Sequence, residues 1–393
     1  MPRLAERTLA IAGEGAAAWD ILTASRAAKA RGEDVVIMSV GDPDFDTPAP
    51  IVDAAVAAMR AGDTHYTSVT GRAELRAAIA AQFESLGGPA TTADQVSVFA
   101  GTQNALFSAA QLLLDPGSHA ISIDPQYVTY DAAIGVTGAS LTRVPPRDGV
   151  QLRPDVAAVA ASVTPETRAL FFANPCNPTG IVYTREELDA LATVAREHDL
   201  WIVSDEVYGT LTFEQPHIPT ASLPGMAERT LTLSSVSKSH AMTGWRVGWM
   251  IGPQRIAEHA ANLALCMLYG APGFNQAAAT AALTTCHTAP DDMRAIYRHR
   301  RDLATSILDQ AKPLRVLPAE AGMFLVVDVS GTGMNGHDFS WALYKETGVS
   351  VLGGAAFSDT IGHCIRLSFT VSDDEIAEGC ARIVRFCESV GRS

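Results

Sequence analysis

The chain has 393 residues, 47% hydrophobic and 18% charged. That excludes a disordered chain and suits one very large domain or two, burying about 75% of the unfolded surface. The formal net charge of −14 is spread along the sequence, which disfavours a binder of nucleic acid or anionic membrane, because both need basic patches. Six cysteines stand singly, with no CxxC and no nearby histidine pair. They read as buried free thiols of a reducing compartment, and no metal site is signalled. The first fifteen residues lack the apolar run of a signal peptide. The most apolar segment, 262–274, is broken by Gly270, Pro272 and Gly273, far short of the roughly 20 residues of a membrane span. The expectation is a cytoplasmic globular protein.

Along the chain, residues 35–40 read as a strand, then 50–61 and 72–86 as helices, the second with Leu75, Ile79 and Phe83 on one stripe. Strand 96–100, helix 103–114, strand 119–123 and helix 127–136 follow. Residues 169–173, 200–204 and 230–233 are further apolar strands, with helix 185–198 among them. Near-continuous apolar strands alternating with helices predict a mostly parallel α/β sheet covered on both faces. After about residue 290 the pattern changes. Helix 291–310 sets Met293, Ile296, Arg300, Leu303 and Ile307 on one stripe, strands follow at 323–329, 349–352 and 365–369, and helix 373–388 comes last. This predicts a smaller α+β part.

Three segments at predicted strand ends carry chemistry, since open α/β sheets place ligands there. Asn174-Pro175-Cys176-Asn177-Pro178-Thr179-Gly180 is an irregular loop forced by two X-Pro steps and a glycine. Ser204-Asp205-Glu206-Val207-Tyr208 puts acids at the end of a buried strand. Ser234-Ser235-Val236-Ser237-Lys238 sets a lysine among serines, eight residues before Arg246. Taken alone, these are a turn, an acidic strand end and a surface lysine. On successive strand ends they supply what pyridoxal phosphate needs: a lysine for its aldehyde, an acid for its ring nitrogen and a cradle for its phosphate.

With Gly41-Asp42-Pro43-Asp44-Phe45, Tyr66, Gly101 to Leu106, Pro125-Gln126-Tyr127 and Arg366-Leu367-Ser368-Phe369 in this order, nearly the whole chain resembles the fold-type I, class I/II aminotransferases. The resemblance implies a large domain at 46–289 with a mostly parallel seven-stranded sheet. Residues 1–45 and 290–393 would form a smaller α+β domain. It implies Lys238 as the cofactor's attachment point and proton carrier, with its amine held unprotonated by burial and by Arg246 and Arg366. Asp205 would face the ring nitrogen, Tyr208 and Asn177 the ring oxygen, and Tyr127 the ring face. Gly101, Thr102 and Gln103 would offer N–H groups to the phosphate, with Ser235 and Arg246 completing the cradle. Arg366, Asn177 and the Gly41 backbone would hold the substrate α-carboxylate. Tyr66 would reach the partner subunit's phosphate, implying a homodimer with shared sites, and Tyr269 would cross likewise.

Residues 15–21, 37–50, 237–249 and 262–269 carry the resemblance toward the arginine-using branch. They imply a basic amino donor, arginine first, and a 2-oxo acid such as pyruvate. Trp19 and Asp20 or Glu14 are candidates for the side-chain end, where a guanidinium needs a stacking or acidic partner. Asp20 equally suits a helix cap. Aminotransferases for aspartate or aromatic amino acids, and β-elimination lyases, share the same cofactor set and stay open. A transcription regulator is disfavoured, because Gly41-Asp42-Pro43 comes too early for a preceding DNA-binding domain.

Overall fold

The computed structural model describes residues 2–5, 11 and 19–390. Helix α1 (Asp20–Ala30), the short strand β1 (Val36–Ile37) and helices α2 (Ala49–Arg60) and α3 (Ala73–Ser85) lead in. Next come β2 (Val96–Phe99), α4 (Thr102–Leu113), β3 (His119–Ile123), α5 (Tyr130–Gly135), β4 (Ser140–Val144) and α6 (Val156–Ala161). They are followed by β5 (Thr167–Ala173), α7 (Arg185–Glu197), β6 (Trp201–Asp205), β7 (Thr230–Ser235), the one-turn α8 (Val236–Ser239) and β8 (Gly248–Ile251). The seven strands form one sheet in the order β2-β8-β7-β6-β5-β3-β4. Only β8 runs antiparallel to its neighbours, so the sheet is mostly parallel, as expected.

Local chemistry explains the boundaries. The central strands are buried along their length, as in Leu170, Phe171 and Phe172 of β5, because helices cover both faces. Helix α7 opens on a capping box: Thr184 Oγ1 accepts from Glu187 N at 3.2 Å and Glu187 Oε2 from Thr184 N at 2.8 Å. The connection after β3 stays irregular up to Tyr130, so the helix expected at 127–136 starts three residues late and leaves Tyr127 in a loop.

The remaining elements are α9 (Gln254–Met267), α10 (Gly273–Thr284), α11 (Ala289–Leu308), β9 (Arg315–Val316), β10 (Phe324–Asp328) and α12 (Gly336–Thr347), then β11 (Val349–Ser350), β12 (Leu352–Gly353), β13 (Cys364–Ser368) and α13 (Asp373–Val390). A four-stranded sheet has the order β12-β13-β10-β9, while β11 pairs with β1. The strand expected at 349–352 is therefore split between two sheets. The stripe expected on α11 is also displaced. Met293, Tyr297, Arg300, Ala304 and Leu308 are buried, whereas Ile296 is 37% exposed. Buried Arg300 is reconciled with this face by ion pairs to Asp44 at 2.7 Å and Asp373 at 2.9 Å.

One apolar cluster joins the two sheets. It runs from Ile121, Val144 and Leu170 across to Val326, Leu352, Phe357 and Cys364. Four of the free cysteines are buried, but Cys266 is exposed and Cys286 half-buried. The expectation of uniformly buried thiols is corrected there, because both lie on faces of α9 and the α10–α11 connection that the chain leaves open. Among the described residues, no helix is long and apolar enough to cross a membrane.

Candidate active site

A cavity of ≈ 300 Å³ opens where the carboxyl ends of the parallel strands meet β10 and β13. Its floor is Asp205, the last residue of β6, which is 8% exposed. Asp205 Oδ1 accepts from Val207 N at 3.2 Å, and Oδ2 lies 3.5 Å from the Tyr130 hydroxyl that donates to it. Among the described residues no cation pairs with this carboxylate. Burial pushes it up to about 7, with the Glu206 charge adding to the rise and the Val207 and Tyr130 hydrogen bonds opposing it.

Lys238 sits on α8, which Ser235 caps by accepting from Ser237 N at 3.3 Å. Its Nζ donates to Gly41 O at 2.5 Å. Burial lowers this amine to about 8. The Asp42 charge pulls the other way, and Arg366 and Arg246 add to the lowering. Gly41 is required at that contact, since a Cβ there would stand 2.3 Å from the Phe324 ring.

The wall beside α4 presents open backbone N–H groups. Thr102 and Gln103 open the first turn of α4, whose first N–H groups have no preceding carbonyl to bond. The Thr102 hydroxyl is buried without a partner. Gly101 differs from expectation. Its N–H is committed to Phe99 O at 2.8 Å, so two of the three expected N–H groups are open and Gly101 contributes by conformation. Its φ of +86° suits glycine alone, and a Cβ would fall 2.2 Å from Arg246 Nη2. On the facing strand, a Cβ at Gly248 would stand 2.6 Å from Thr102 N. Arg246 is held over this corner by donating from Nη1 to Thr243 O at 2.8 Å and from Nη2 to Ala100 O at 3.1 Å.

Arg366 on β13 is 2% exposed. It donates from Nη1 to Asn177 Oδ1 at 3.1 Å and from Nη2 to Ser39 O at 2.9 Å, while its Nε is buried without a partner. Its guanidinium carbon lies 4.1 Å from the Phe324 ring centre and 4.8 Å from that of Phe357. Among the described residues no carboxylate faces it, and burial lowers it to about 10. Asn177 also hydrogen-bonds Tyr208, whose hydroxyl burial pushes upward. Half-buried Tyr127 lines the same cavity, held above its usual range by burial.

The structure thus brings Gly41, Thr102, Gln103, Tyr127, Asn177, Asp205, Tyr208, Ser235, Lys238, Arg246, Arg366 and Trp19 to one cavity, with Gly101 directly behind Arg246. It does not bring Tyr66 or Tyr269 there. These two are 85% and 54% exposed and pack on each other with ring centres 4.9 Å apart. Asp20 is the exposed first residue of α1, outside the cavity lining and making no side-chain cap. Glu14 and residues 15–18 lie outside the described residues. Sequence reasoning missed the cavity-lining roles of Asp42, Ser237, Thr243 and Phe324. Asp42 stood in the Gly41-Asp42-Pro43 motif, and its acidic side chain beside a required glycine was the available signal. Apart from this cavity, Asp328, His363 and Cys364 come within 4.8 Å of one another, but Arg315 already binds the Asp328 carboxylate at 2.7 Å.

A buried amine shifted toward neutrality, a buried carboxylate that no cation pairs with, a helix start with open N–H groups and a buried guanidinium facing no carboxylate among the described residues therefore line one cavity. The chain belongs to the class I and II aminotransferases, whose family pattern it matches over residues 33–383. It is 47% identical to the arginine–pyruvate transaminase AruH of Pseudomonas aeruginosa over 381 residues, 97% of each chain. It is 36% identical to an aspartate/prephenate aminotransferase of Cereibacter sphaeroides, over 92% of this chain and 94% of that one. Thermus thermophilus aspartate aminotransferase, solved with maleate, superimposes with a TM-score of 0.92 at 32% identity, covering 98% of this chain and 100% of that one.

The Lys238 environment is directly measurable. In cofactor-free protein, labelling of this amine by a dilute amine-selective acylating reagent should reach half its limiting rate near pH 8, against roughly 10.4 for an ordinary lysine. Peptide mapping reads the site, and a midpoint above 10 contradicts the environment described.

Proposed function

We propose that the cavity binds pyridoxal 5′-phosphate on Lys238. There the chain transfers the α-amino group of a basic L-amino acid, arginine first, to a 2-oxo acid such as pyruvate. The observation that carries the donor and acceptor is the 47% identity to the arginine–pyruvate transaminase over 97% of both chains. Two buried groups support the cofactor: the Thr102 hydroxyl, which has no hydrogen-bond partner, suits a phosphate, and the Asp205 carboxylate, which no cation pairs with among the described residues, suits a ring cation. When bound, the cofactor supplies an electron-withdrawing ring that stabilises negative charge at the substrate α-carbon. Asp205 keeps the ring nitrogen protonated, and Asn177 and Tyr208 orient the ring oxygen. Thr102, Gln103, Ser235 and Arg246 hold the phosphate. Arg366 grips the α-carboxylate with Asn177 beside it, and the Lys238 amine carries the proton from the α-carbon.

Selectivity belongs to the far end of the cavity. Trp19 lines the cavity, and so does exposed Asp42, whose carboxylate accepts from Thr243 Oγ1 at 2.6 Å. An indole face and a carboxylate are the two partners a guanidinium takes. Asp42 thus replaces Asp20 as the acidic candidate. Two sites shared across a homodimer belong to this reading, supported by the exposed Tyr66–Tyr269 pair, which has no role in its own cavity. The division into 46–289 and 1–45 with 290–393 is supported by the separate seven-stranded and four-stranded sheets. A cytoplasmic setting is supported by the unpaired cysteines.

Three measurements test this. Borohydride reduction of the yellow holoenzyme should fix the cofactor on Lys238, and Lys238→Ala should lose both the visible band and turnover. Cofactor trapped on another lysine refutes the assignment. Next, kcat/KM for arginine, lysine, aspartate, phenylalanine and alanine against pyruvate should rank arginine first, with Asp42→Asn eroding its lead by about tenfold, or roughly 1.4 kcal/mol. If aspartate or phenylalanine wins by that margin, the donor is wrong and the reaction class stands. Finally, mixing inactive Lys238→Ala subunits with inactive Tyr66→Phe subunits should restore part of the activity, since one hybrid site regains both groups. A fully active monomer contradicts the shared site.

A further inference from the structure

Arg366 lies between two rings of different origin. Phe324 is on β10, the strand paired directly with β13, so it is fixed together with Arg366. Phe357 follows the turn Gly354–Ala356 between β12 and β13, and that turn is tied to the other sheet. The Phe357 carbonyl accepts from Arg143 Nη2. The next residue, Ser358, donates its hydroxyl to Asp124 Oδ2, and Asp124 Oδ1 accepts from Arg143 Nε at 3.0 Å and Nη2 at 2.5 Å. Asp124 directly follows β3 and Arg143 lies on β4, neighbouring strands at one edge of the seven-stranded sheet.

This tie is buried where it matters. Asp124 is 5% exposed and Ser358 and Phe357 at most 1%, while the Arg143 side chain is 34% exposed. The buried carboxylate is matched by a guanidinium and a hydroxyl, the condition under which a buried charge is tolerated. None of the three tie residues lines the cavity. Three residues beyond Asp124, however, the chain delivers Tyr127 to it. The tie therefore ends at both walls of the site without touching its contents.

We propose that Asp124, Arg143 and Ser358 are positioning residues: they hold Phe357 against one face of Arg366 and so fix the guanidinium plane that receives the substrate carboxylate. A guanidinium free to rotate offers its two parallel N–H groups to a carboxylate less often, and bidentate recognition depends on that plane. Amino donor and oxo-acid acceptor present the same carboxylate to Arg366, so both must feel the tie equally. The inference rests on the carboxylate-binding reading of Arg366.

The experiment uses holoenzyme and four variants. Arg366→Lys is the reference and should raise KM for donor and acceptor alike. If it raises neither, the reading of Arg366 falls and the tie with it. Given that rise, Arg143→Met should raise both KM values roughly tenfold with kcat within about twofold, the split expected when binding of the common carboxylate is weakened. Arg143→Lys, which keeps a cation against Asp124, should recover most of the loss. Ser358→Ala, losing one hydroxyl inside the tie, is the second probe should Arg143→Met fold poorly. Both KM values unchanged, or only one of them raised, overturns the proposal even where the melting temperature falls, because a purely structural bridge would lower stability without moving the two KM values together.

Discussion

A guanidinium that is 2% exposed and faces no carboxylate among the described residues would cost several kcal/mol if nothing compensated it. The surroundings of Arg366 are the compensation. Two carbonyl-type oxygens, from Ser39 and Asn177, take its terminal nitrogens, and two phenylalanine faces cover its plane. Meeting those needs brings together chain from residue 39, the loop after β5, strand β10 and the turn before β13. On the proposed reading, a substrate carboxylate supplies the counter-charge that the described residues do not. A pre-positioned, desolvated cation loses little on binding, which is the condition for strong electrostatic recognition.

Lys238 and Asp205 extend the same logic. Burial moves the amine down to about 8 and the carboxylate up to about 7. For the lysine, the folded chain binds fewer protons than the unfolded one from the ordinary lysine pKa down to 8, so the stability penalty grows as pH falls through that window and is complete below it. For the aspartate, the folded chain binds more protons from the ordinary carboxylate pKa up to 7, so the penalty grows as pH rises and is complete above it. Between about pH 7 and 8 both penalties stand in full. The cofactor-free cavity is therefore least comfortable near neutrality, and a bound group that neutralises both charges stabilises the fold most there.

Much of this was legible in the sequence, for a physical reason. Apolar runs ending in Asp205, Ser235 and Asn174 mark buried strands whose carboxyl ends face a common crevice, so chemistry-bearing residues fall into place once the parallel sheet is inferred. What escaped depended on long-range geometry. Strand β8 begins with a glycine because Thr102 N leaves no room for a Cβ, a fact invisible locally. The α11 stripe kept Met293 and Arg300 but took Tyr297, Ala304 and Leu308 in place of Ile296, Leu303 and Ile307, while Arg300 is held by Asp44 and Asp373, partners 256 and 73 residues distant. Gly101 was assigned as a donor from motif position alone, whereas its N–H turns back on Phe99.

The two ends of the cavity differ in the same way. On the proposed reading, the cofactor end is made of strand termini and a helix N-terminus, buried and fixed by the sheet, so residue type and position together determine the chemistry. The candidates for the side-chain end, on the same reading, are Trp19 at the start of α1 and exposed Asp42 in a loop. Neither position is dictated by the core. On the proposed reading, substitutions there would change which side chain is accepted and leave the amine, the ring acid and the carboxylate clamp intact, in keeping with relatives named for arginine and for aspartate on one scaffold. For a cationic donor, an exposed carboxylate on a chain of net charge −14 adds a long-range attraction as well as a contact. Dissociation of the product then matters as much as capture, because the same field that draws the cation in also holds the oxo acid that retains the guanidinium. On the proposed reading, an exposed Asp42, screened by solvent, would hold that guanidinium less tightly than a buried carboxylate would, and so limit the penalty on release.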